Sequence, residues 1–497
     1  MMLSRFLLAL ILTCTARAEF RAAFAERDIT PEIGMEVPGG YGKAFSKRIH
    51  DPCKVRAVVF DDGTREVALV GLDALVVPRG LVLEVRKLLQ ERCKISPEAV
   101  MIGASHSHSS GPVGMTLPGE YDHASPLVQD LAYKKSSAAD ASYLVKVRDA
   151  IVEAVAAAHD ARTVATAGFG TGREDQVAFN RRIRMTNGLS FSHPGKGNPD
   201  NVEFAGPTDP EVGIIGAWNA DGKLLGCVVN FACHATASGP WVSANWIYYM
   251  ERAIQGYFGA ETKVVFLQGA CGDVTQVNNL DLRENPESDA WSQFVGGRVG
   301  AEAVKVLLGL SQTRVAEVPL DAKQKTWSIA RRAPAPERVK AALELVQKAE
   351  KDAGPDWVWA KETVMLDALI AKWPAVEAEV QAIQVGPVVC LAVPAEYLCQ
   401  FGLEMKAGSG FPMTFPVELA NGCVGYVPTE EAFGEHGGGY ETRLTSYSNL
   451  EITAGAQFRA NGIALAQSMK PAPLPKTPLA PPFQAGWTYG NVPPQVR

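Results

Sequence analysis

The sequence predicts an α/β fold in which mixed β-sheets are flanked by helices in layers. Short apolar runs of strand length alternate along the chain with longer segments whose apolar residues recur at helical spacing. Two pairs of apolar runs are joined by turn sequences typical of hairpins, D-D-G at 61–63 and N-A-D-G at 219–222, so some strands are antiparallel. The 497 residues, of which 47% are hydrophobic, suffice for a large core.

The elements of the first three hundred residues follow from these patterns. Strands are predicted at 55–60, 67–75, 99–104, 164–170, 213–218, 224–231 and 263–267. Helices are predicted at 80–93, 143–159, 246–258 and 296–308. The segment 115–140 is polar and contains Gly and Ser, so we expect a long loop of the kind that often binds substrate.

The region 333–381 differs from the rest and predicts a helical hairpin inserted on the outside of the sheet. Its two segments, 336–351 and 360–382, combine helical apolar spacing with alternating charges. A solvated cover is the favoured interpretation, and a partner-binding surface is the alternative. Residues 382–393 then predict a strand, and the proline-rich tail 471–497 predicts a strap or a disordered end.

The amino terminus has the pattern of a secretory signal peptide at 1–18. Arg5 precedes an apolar run, and A-R-A at 16–18 forms a small-x-small cleavage site before Glu19. Cys14 offers a lipoprotein alternative, but the residue before it fits that signal poorly. We therefore expect cleavage after the leader and export to the periplasm or the extracellular space, with one domain at 19–470.

Composition and charge limit the kinds of binding partner that the sequence predicts. No later stretch has the roughly eighteen apolar residues that cross a bilayer, so no transmembrane segment is predicted. A net charge of −6 without a basic cluster argues against nucleic acid. Of the nine cysteines, eight remain after the leader, an even number that permits disulfides in an exported protein. Several of them lie in apolar runs, so buried free thiols are the alternative.

The stretch V-M-I-G-A-S-H-S-H-S-S-G-P at 100–112 is the centre of the predicted site. His106 and His108 alternate at the end of an apolar run, so on extended backbone both imidazoles would face one cleft. Ligands bind at the carboxyl ends of strands in open α/β sheets, and neutral imidazole is a common zinc ligand. Two loop histidines without a role are the alternative, which is less favoured because the chain has only eight histidines.

Other strand ends and loops contribute further polar groups. They are His234, Asp273, Thr275 and Glu396 after apolar runs, and Arg181 and Tyr440 in loops. Imidazoles, a carboxylate and an open position are what a catalytic zinc ion requires. These residues lie far apart in the chain, so their spacing alone cannot assemble them into one site.

Several of these segments resemble signatures of the neutral/alkaline ceramidases. G-A-S-H-S-H-S-S-G-P is similar to that family's histidine signature, and N-F-A-C-H-A-T matches its second histidine motif. F-N-R, P-A-E and the Tyr-Glu pair of G-G-Y-E resemble its N-R motif, its glutamate motif and its zinc-binding tyrosine. The opening D-I-T-P and H-D-P-x-x-x-R-A-V-V-F-D-D-G resemble the shorter bacterial members. The similarity runs in order over roughly residues 20–465.

The resemblance implies a zinc ion bound by four residues: His106, His234, Glu396 and Tyr440. It implies that His108 is the general acid/base and that Arg181 holds the substrate or the developing oxyanion. Tyr426, in G-Y-V-P-T, and Asp273 are the expected substrate-binding residues. A core position is the alternative for Tyr426.

Two features depart from the family pattern. The family's G-D-V-S-P turn carries a serine at the catalytic centre, whereas this chain has G-D-V-T-Q with Thr275. Threonine keeps the hydroxyl but adds a methyl group and restricts χ1, so we expect Thr275 to act in catalysis with a changed fit to the substrate. We also expect this chain to lack the immunoglobulin-like C-terminal domain of the long ceramidases.

Three functions are therefore compared. The favoured one is an exported zinc-dependent amidohydrolase that cleaves a ceramide-like N-acyl amide of a small-molecule or lipid substrate, with peripheral membrane contact left open. The second is a zinc hydrolase of the same mechanism acting on a non-sphingolipid amide or ester. The third, a non-catalytic binding protein on the same scaffold, is disfavoured because the predicted ligands and His108 are all present.

Overall fold

A computed structural model describes residues 19–237, 239, 241–348, 350 and 354–497 of the chain. The predicted leader, with Cys14, lies outside the described residues. Within them the α/β prediction is confirmed, because mixed sheets are packed between helices.

The largest sheet has eight strands in the order β12-β11-β10-β5-β1-β2-β3-β4. Its strands are β1 (Arg21–Asp28), β2 (Lys54–Asp61), β3 (Glu66–Leu72), β4 (Val100–Ala104), β5 (Thr163–Arg173), β10 (Glu211–Asn219), β11 (Leu224–Phe231) and β12 (Lys263–Gln268). The pairs β3-β4 and β11-β12 are parallel, and the other neighbours are antiparallel. The two predicted hairpins, β2-β3 and β10-β11, are confirmed.

This sheet curls so that its two ends touch. Gly71 of β3 lies against Phe266 of β12, and a Cβ at Gly71 would stand 2.4 Å from the Phe266 carbonyl oxygen. Glycine is therefore required where the two backbones approach. Gly103 of β4 similarly faces Leu267. As a consequence, the segments that follow β4, β11 and β12 meet in space although these strands are far apart in the strand order.

A second, four-stranded sheet packs beside the first. Its order is β14-β15-β16-β18, with strands β14 (Leu320–Ala330), β15 (Ala375–Val385), β16 (Val388–Ala392) and β18 (Met413–Val417). Phe415 of β18 packs against Gly213 of β10, and both sheets contribute to one hydrophobic core. Short strands complete the fold: β6 (Phe179–Asn180), β7 (Arg182–Met185), β8 (Ser190–Ser192), β9 (Asn201–Phe204), β13 (Val274–Thr275), β17 (Glu396–Tyr397) and β19 (Tyr426–Val427).

Nine α-helices of the described residues cover these sheets. They are α1 (Arg79–Cys93), α2 (Pro126–Lys134), α3 (Ala141–Asp160), α4 (Trp246–Phe258), α5 (Ser288–Gly309), α6 (Pro336–Leu345), α7 (Pro355–Lys372), α8 (Cys399–Gly408) and α9 (Ala454–Gln467). Helix α3 packs on β1 and β2, and α4 packs closely on α5. The four helices predicted at 80–93, 143–159, 246–258 and 296–308 are confirmed, with α5 beginning earlier than expected.

Two predictions of secondary structure are wrong. The expected loop 115–140 contains α2, whose first turn is set by Ser125 as N-cap and Pro126 at the first helical position. The expected helix 360–382 ends at Lys372, because Pro374 follows, and β15 begins at Ala375. Apolar and polar residues alternate with period two along β15, which is a strand pattern.

The described cysteines are eight free thiols, so the buried-thiol alternative holds and no disulfide is present among them. No helix in the described part of the chain is long and apolar enough to span a bilayer. Residues 471–497 follow α9 as an exposed segment in which neither helix nor strand is found.

Candidate metal centre

Two buried histidines reach one point from strands near opposite ends of the curled sheet. His106 follows β4 and His234 follows β11. His106 Nδ1 lies 2.9 Å from the Leu75 carbonyl oxygen, and His234 Nδ1 lies 2.8 Å from the Cys271 carbonyl oxygen. A carbonyl oxygen can only accept, so each Nδ1 carries the proton and each Nε2 presents a lone pair.

Glu396 completes a set of three acceptor atoms. Its Oε2 is 3.1 Å from His106 Nε2 and 3.2 Å from His234 Nε2. That oxygen is buried and has no hydrogen-bond donor among the described residues. A buried carboxylate oxygen that lacks a donor and faces two imidazole nitrogens is unfavourable unless a cation lies between them. Two imidazoles and a carboxylate with an open position are the donor set of a catalytic zinc ion, so these residues fit that metal.

The local charges favour this arrangement. Although burial opposes ionisation, the neighbouring imidazoles hold the pKa of Glu396 well below its usual range. Burial, assisted by the charge of Arg181, lowers the pKa of His234 to about 4. Burial and the two neighbouring imidazoles lower the pKa of His108 well below its usual range. Burial opposes protonation of His106, but the charge of Glu396 raises the pKa of that imidazole. The centre therefore combines a carboxylate with two imidazoles whose pKa values are lowered and one whose pKa is raised.

His108 lies beside the two ligand-like histidines but is held differently. The ring nitrogens of His106, His108 and His234 lie within 4.8 Å of one another, and His108 Nε2 is 3.1 Å from His106 Nε2. No acceptor among the described residues contacts His108 Nδ1; the backbone of Gly39 packs there instead. Ligating histidines usually have the second nitrogen fixed by a hydrogen bond, and among the described residues His108 lacks the hydrogen bond that fixes Nδ1 in the other two.

The two rings of 106 and 108 do not converge by strand alternation, and that part of the prediction is wrong. His106 adopts a left-handed backbone conformation with φ 59°, directly after β4 ends. Ser107 then forms a bridge to Ala235, and the His108 amide donates to the Ala235 carbonyl oxygen at 3.2 Å. Such a conformation is strained for a residue other than glycine and is frequent at functional sites. The turn brings the ring centroids to 4.6 Å.

Arg181 enters the same centre from the loop after β6. Its Nη1 lies 3.3 Å from His234 Nε2, and Nη2 donates to the Gly272 carbonyl oxygen at 2.9 Å. Its Nε donates to Glu441 at 2.6 Å, and both side chains are buried. The other oxygen of Glu441 accepts from the Ser192 hydroxyl at 2.5 Å. The guanidinium is thus fixed with one edge directed to the histidines.

The two predicted tyrosines occupy different positions. Tyr426 pairs with Glu396 across β17 and β19, and its hydroxyl interacts with both Glu396 and Arg181. Tyr440 places its ring 5.3 Å from that of Tyr426, while its hydroxyl interacts with that of Tyr41. Burial, with the nearby charge of Glu396, raises the pKa of Tyr440 to about 12.

Thr275 and Asp273 both lie in the turn after β12. Thr275 is buried, and its Oγ1 accepts from the Val277 amide at 3.2 Å, which leaves the hydroxyl proton available to donate. Asp273 accepts from the Cys399 amide at 2.9 Å and from Asn180 Nδ2 at 2.8 Å. Both carboxylate oxygens of Asp273 thus hold neighbouring segments in place. Asp273 therefore has a structural position and is not one of the atoms that face the two histidines.

Two residues of the centre were missed by the sequence reasoning. The Tyr447 hydroxyl donates to Glu396 Oε1 at 2.7 Å and so orients the carboxylate. Glu418, immediately after β18, accepts from the backbone amides of Cys271 and Tyr397, each at 2.9 Å. Glu418 follows an apolar run as Glu396 does, so the same strand-end signal could have found it. Nothing in the sequence around Tyr447 distinguishes it from other loop tyrosines.

Comparison with known proteins identifies the class of fold. No protein-family model and no curated protein matches the sequence. The solved structures that match the fold include two with a TM-score of 0.67 each. The neutral ceramidase from Pseudomonas aeruginosa is 19% identical over 94% of this chain and 78% of its own, and a ceramidase complexed with C2 is 18% identical over 93% and 77%. The chain therefore has the neutral ceramidase fold, as the motifs indicated.

Proposed function

We propose that this protein is a zinc-dependent hydrolase that cleaves the amide bond of an N-acyl substrate. The observation that carries the proposal is the convergence of His106 Nε2 and His234 Nε2 on Glu396 Oε2, a buried oxygen without a hydrogen-bond donor among the described residues. A zinc ion bound there would polarise the substrate carbonyl and lower the pKa of a water molecule. Tyr440 is proposed as the fourth ligand, on the resemblance of G-G-Y-E alone.

His108 supplies the proton transfers in this proposal. Its Nε2 faces the centre, and the low pKa keeps its imidazole neutral and able to accept a proton from the attacking water. The same nitrogen then returns a proton to the nitrogen of the leaving amine, which departs neutral. The free Nδ1 side allows the imidazole to exchange its proton without breaking a structural hydrogen bond.

Arg181 and Thr275 stabilise the developing oxyanion in this proposal. The Arg181 guanidinium is always charged, and Glu441 and the Gly272 carbonyl oxygen fix its direction before substrate binds. A donor that is already oriented costs no reorganisation when negative charge develops. The Thr275 hydroxyl retains a proton that it can donate at the same turn. Tyr426, in contact with Arg181, is proposed to line the substrate side of the guanidinium.

The substrate is proposed to be a ceramide-like N-acyl amide. The solved ceramidases of the same fold and the ordered set of motifs support that class. Purified protein should be assayed with ceramides, N-acyl amino acids and soluble esters, with and without a chelator. Preferential chelator-sensitive cleavage of ceramides is expected, whereas cleavage of esters alone or of no substrate would contradict the proposal. Preference for N-acyl amino acids would favour a non-sphingolipid substrate, for which the Thr275 departure gives a reason.

Export is proposed from the leader pattern alone. Cleavage after 18 would give a mature chain that begins at Glu19. Intact mass spectrometry of protein recovered outside the cytoplasm should give that start. A lipid on Cys14 would support the lipoprotein alternative, and a full-length cytoplasmic chain would contradict export.

A further inference from the structure

Helix α7 of the inserted hairpin places an aromatic residue, Trp359, near the candidate metal centre. The Trp359 ring lies 5.3 Å from that of Tyr41 and 6.2 Å from that of Tyr440. The Tyr440 ring in turn lies 5.7 Å from the guanidinium carbon of Arg181. On the outer side, the exposed Arg443 stacks on Trp359 at 4.1 Å. Trp359 is therefore placed between the surface and the residues around the buried centre.

Two residues after Trp359, a buried lysine anchors α7. Lys361 is only 1% exposed, and its Nζ donates to the carbonyl oxygen of Tyr41 and, at 2.7 Å, to the Ser136 hydroxyl. Glu362 balances its charge, with Oε1 at 3.2 Å from Nζ. A buried ammonium is costly unless its donors are satisfied and its charge is paired. These contacts tie α7 to the loop that carries Tyr41.

The contacts of Lys361 and of Glu362 each extend to residues of the candidate metal centre. The Tyr41 loop also contains Gly39, whose backbone packs against His108; a Cβ there would lie 2.5 Å from Nδ1. Glu362 Oε2 accepts from the Ser446 hydroxyl at 2.5 Å, one residue before the Tyr447 that bonds to Glu396. The hairpin is thus linked to the site by two short series of contacts. A hairpin that only covered the protein surface would make neither of them.

We propose that Trp359 determines which hydrocarbon chain the enzyme accepts beside the amide, and that Lys361 is the positioning residue that holds Trp359 in place. The rings of Tyr41, Tyr440 and Trp359 contact one another edge to face and form one aromatic cluster beside Arg181. Ring faces bury large apolar areas, which suits an extended acyl chain rather than a polar headgroup. This proposal rests on the proposed function and names a determinant of its substrate class.

The test compares N-acetyl-, N-octanoyl- and N-palmitoyl-sphingosine as substrates of wild type and variants. In Trp359→Ala the ratio of kcat/KM for the palmitoyl over the acetyl substrate should fall about tenfold or more, as lost apolar contacts reduce discrimination. Lys361→Met should lower the same ratio with metal content unchanged. Lys372→Met, an exposed lysine on the same helix, is the matched control and should leave the ratio as in wild type.

A purely structural Lys361 would give a lower Tm with an unchanged ratio, which would overturn its positioning role. If Lys361→Met does not fold, Ser136→Ala removes one acceptor of Nζ and should shift the ratio in the same direction. An unchanged ratio in Trp359→Ala would overturn the proposal for Trp359.

A binding measurement distinguishes failure of this inference from failure of the proposed function. If wild type cleaves none of the three amides, a brominated N-palmitoyl amide is titrated while tryptophan fluorescence is recorded. Quenching that is present in wild type and reduced in Trp359→Phe supports the chain-binding role without turnover. Equal quenching in both proteins, or quenching in neither, would contradict it.

Discussion

The carboxylate of Glu441 fixes the guanidinium of Arg181 at 2.6 Å, and both groups are buried at the centre of the site. The two residues are 260 positions apart in the chain. The same carboxylate accepts from the Ser192 hydroxyl. One residue near the carboxyl end therefore holds two segments that precede β10. This contact sets the direction in which Arg181 presents Nη1 to His234.

Glu441→Gln should therefore lower kcat/KM by roughly 10–100-fold, because Arg181 loses its charged partner and its orientation. Metal content should stay at the wild-type value, since Glu441 is not among the proposed ligands. Glu435→Gln, at an exposed position nearby, is the control and should be unaffected. Steady-state kinetics with metal analysis checks the prediction, and wild-type kcat/KM in Glu441→Gln would refute it.

His106 and His108 should separate metal binding from proton transfer. His106→Ala removes a proposed ligand, so zinc affinity and activity should fall together. His108→Ala should retain zinc while kcat falls by roughly 10²–10⁴-fold, the usual contribution of a positioned acid/base.

The comparison has two informative contrary outcomes. Loss of zinc in His108→Ala would make His108 a ligand, as its short distance to the other two rings permits. A raised KM with kcat intact would instead mean that His108 only supports the loop at Gly39.

The fourth ligand can be assigned between two tyrosines. Tyr440→Phe should weaken zinc binding, because the proposed fourth ligand oxygen is lost. Tyr426→Phe should leave zinc affinity nearly unchanged and mainly reduce kcat/KM, because its hydroxyl contacts Arg181 and Glu396. Competition with a fluorescent chelator measures both affinities. The reverse order of effects would assign the ligand to Tyr426.

Arg56 is expected to contribute strongly to stability. Its guanidinium is buried between Asp73, at 2.7 Å, and Glu251, at 2.6 Å. Arg56→Met leaves two buried carboxylates without their common partner, so the free energy of unfolding should fall by about 3–5 kcal/mol. Arg65→Met is the control; its ion pair with Asp321 is 3.6 Å long and partly exposed, and its loss should cost about 1 kcal/mol or less. Urea denaturation of both variants measures the difference, and equal losses would contradict this account.

Much of the fold was predictable because its strands and helices have distinct apolar periods. Helix α3 and the hairpin β10-β11 were found from pattern and turn chemistry alone. The first part of β15, residues 375–382, falls in the predicted helix because short alternating segments also satisfy part of a helical spacing. The curl of the large sheet could not be predicted, since it depends on contacts such as that of Gly71 with Phe266.

The candidate site, like the fold, was predictable only in part. Strand-end position selected His106, His234 and Glu396, and the structure brings their side chains together. Their convergence needs two sheets, because Glu396 follows β16 of the second sheet. Tyr447 and Lys361 act through tertiary contacts with segments distant in sequence, so local pattern gives no signal for either.

The proposed mechanism depends on one zinc ion held by His106, His234 and Glu396. Elemental analysis of purified protein by mass spectrometry, with Glu396→Gln analysed in parallel, tests it most directly. About one zinc per wild-type chain is expected and much less in Glu396→Gln, with the loss of activity following the loss of metal. A folded wild-type protein that binds no metal and hydrolyses its substrate in the presence of a chelator would contradict it.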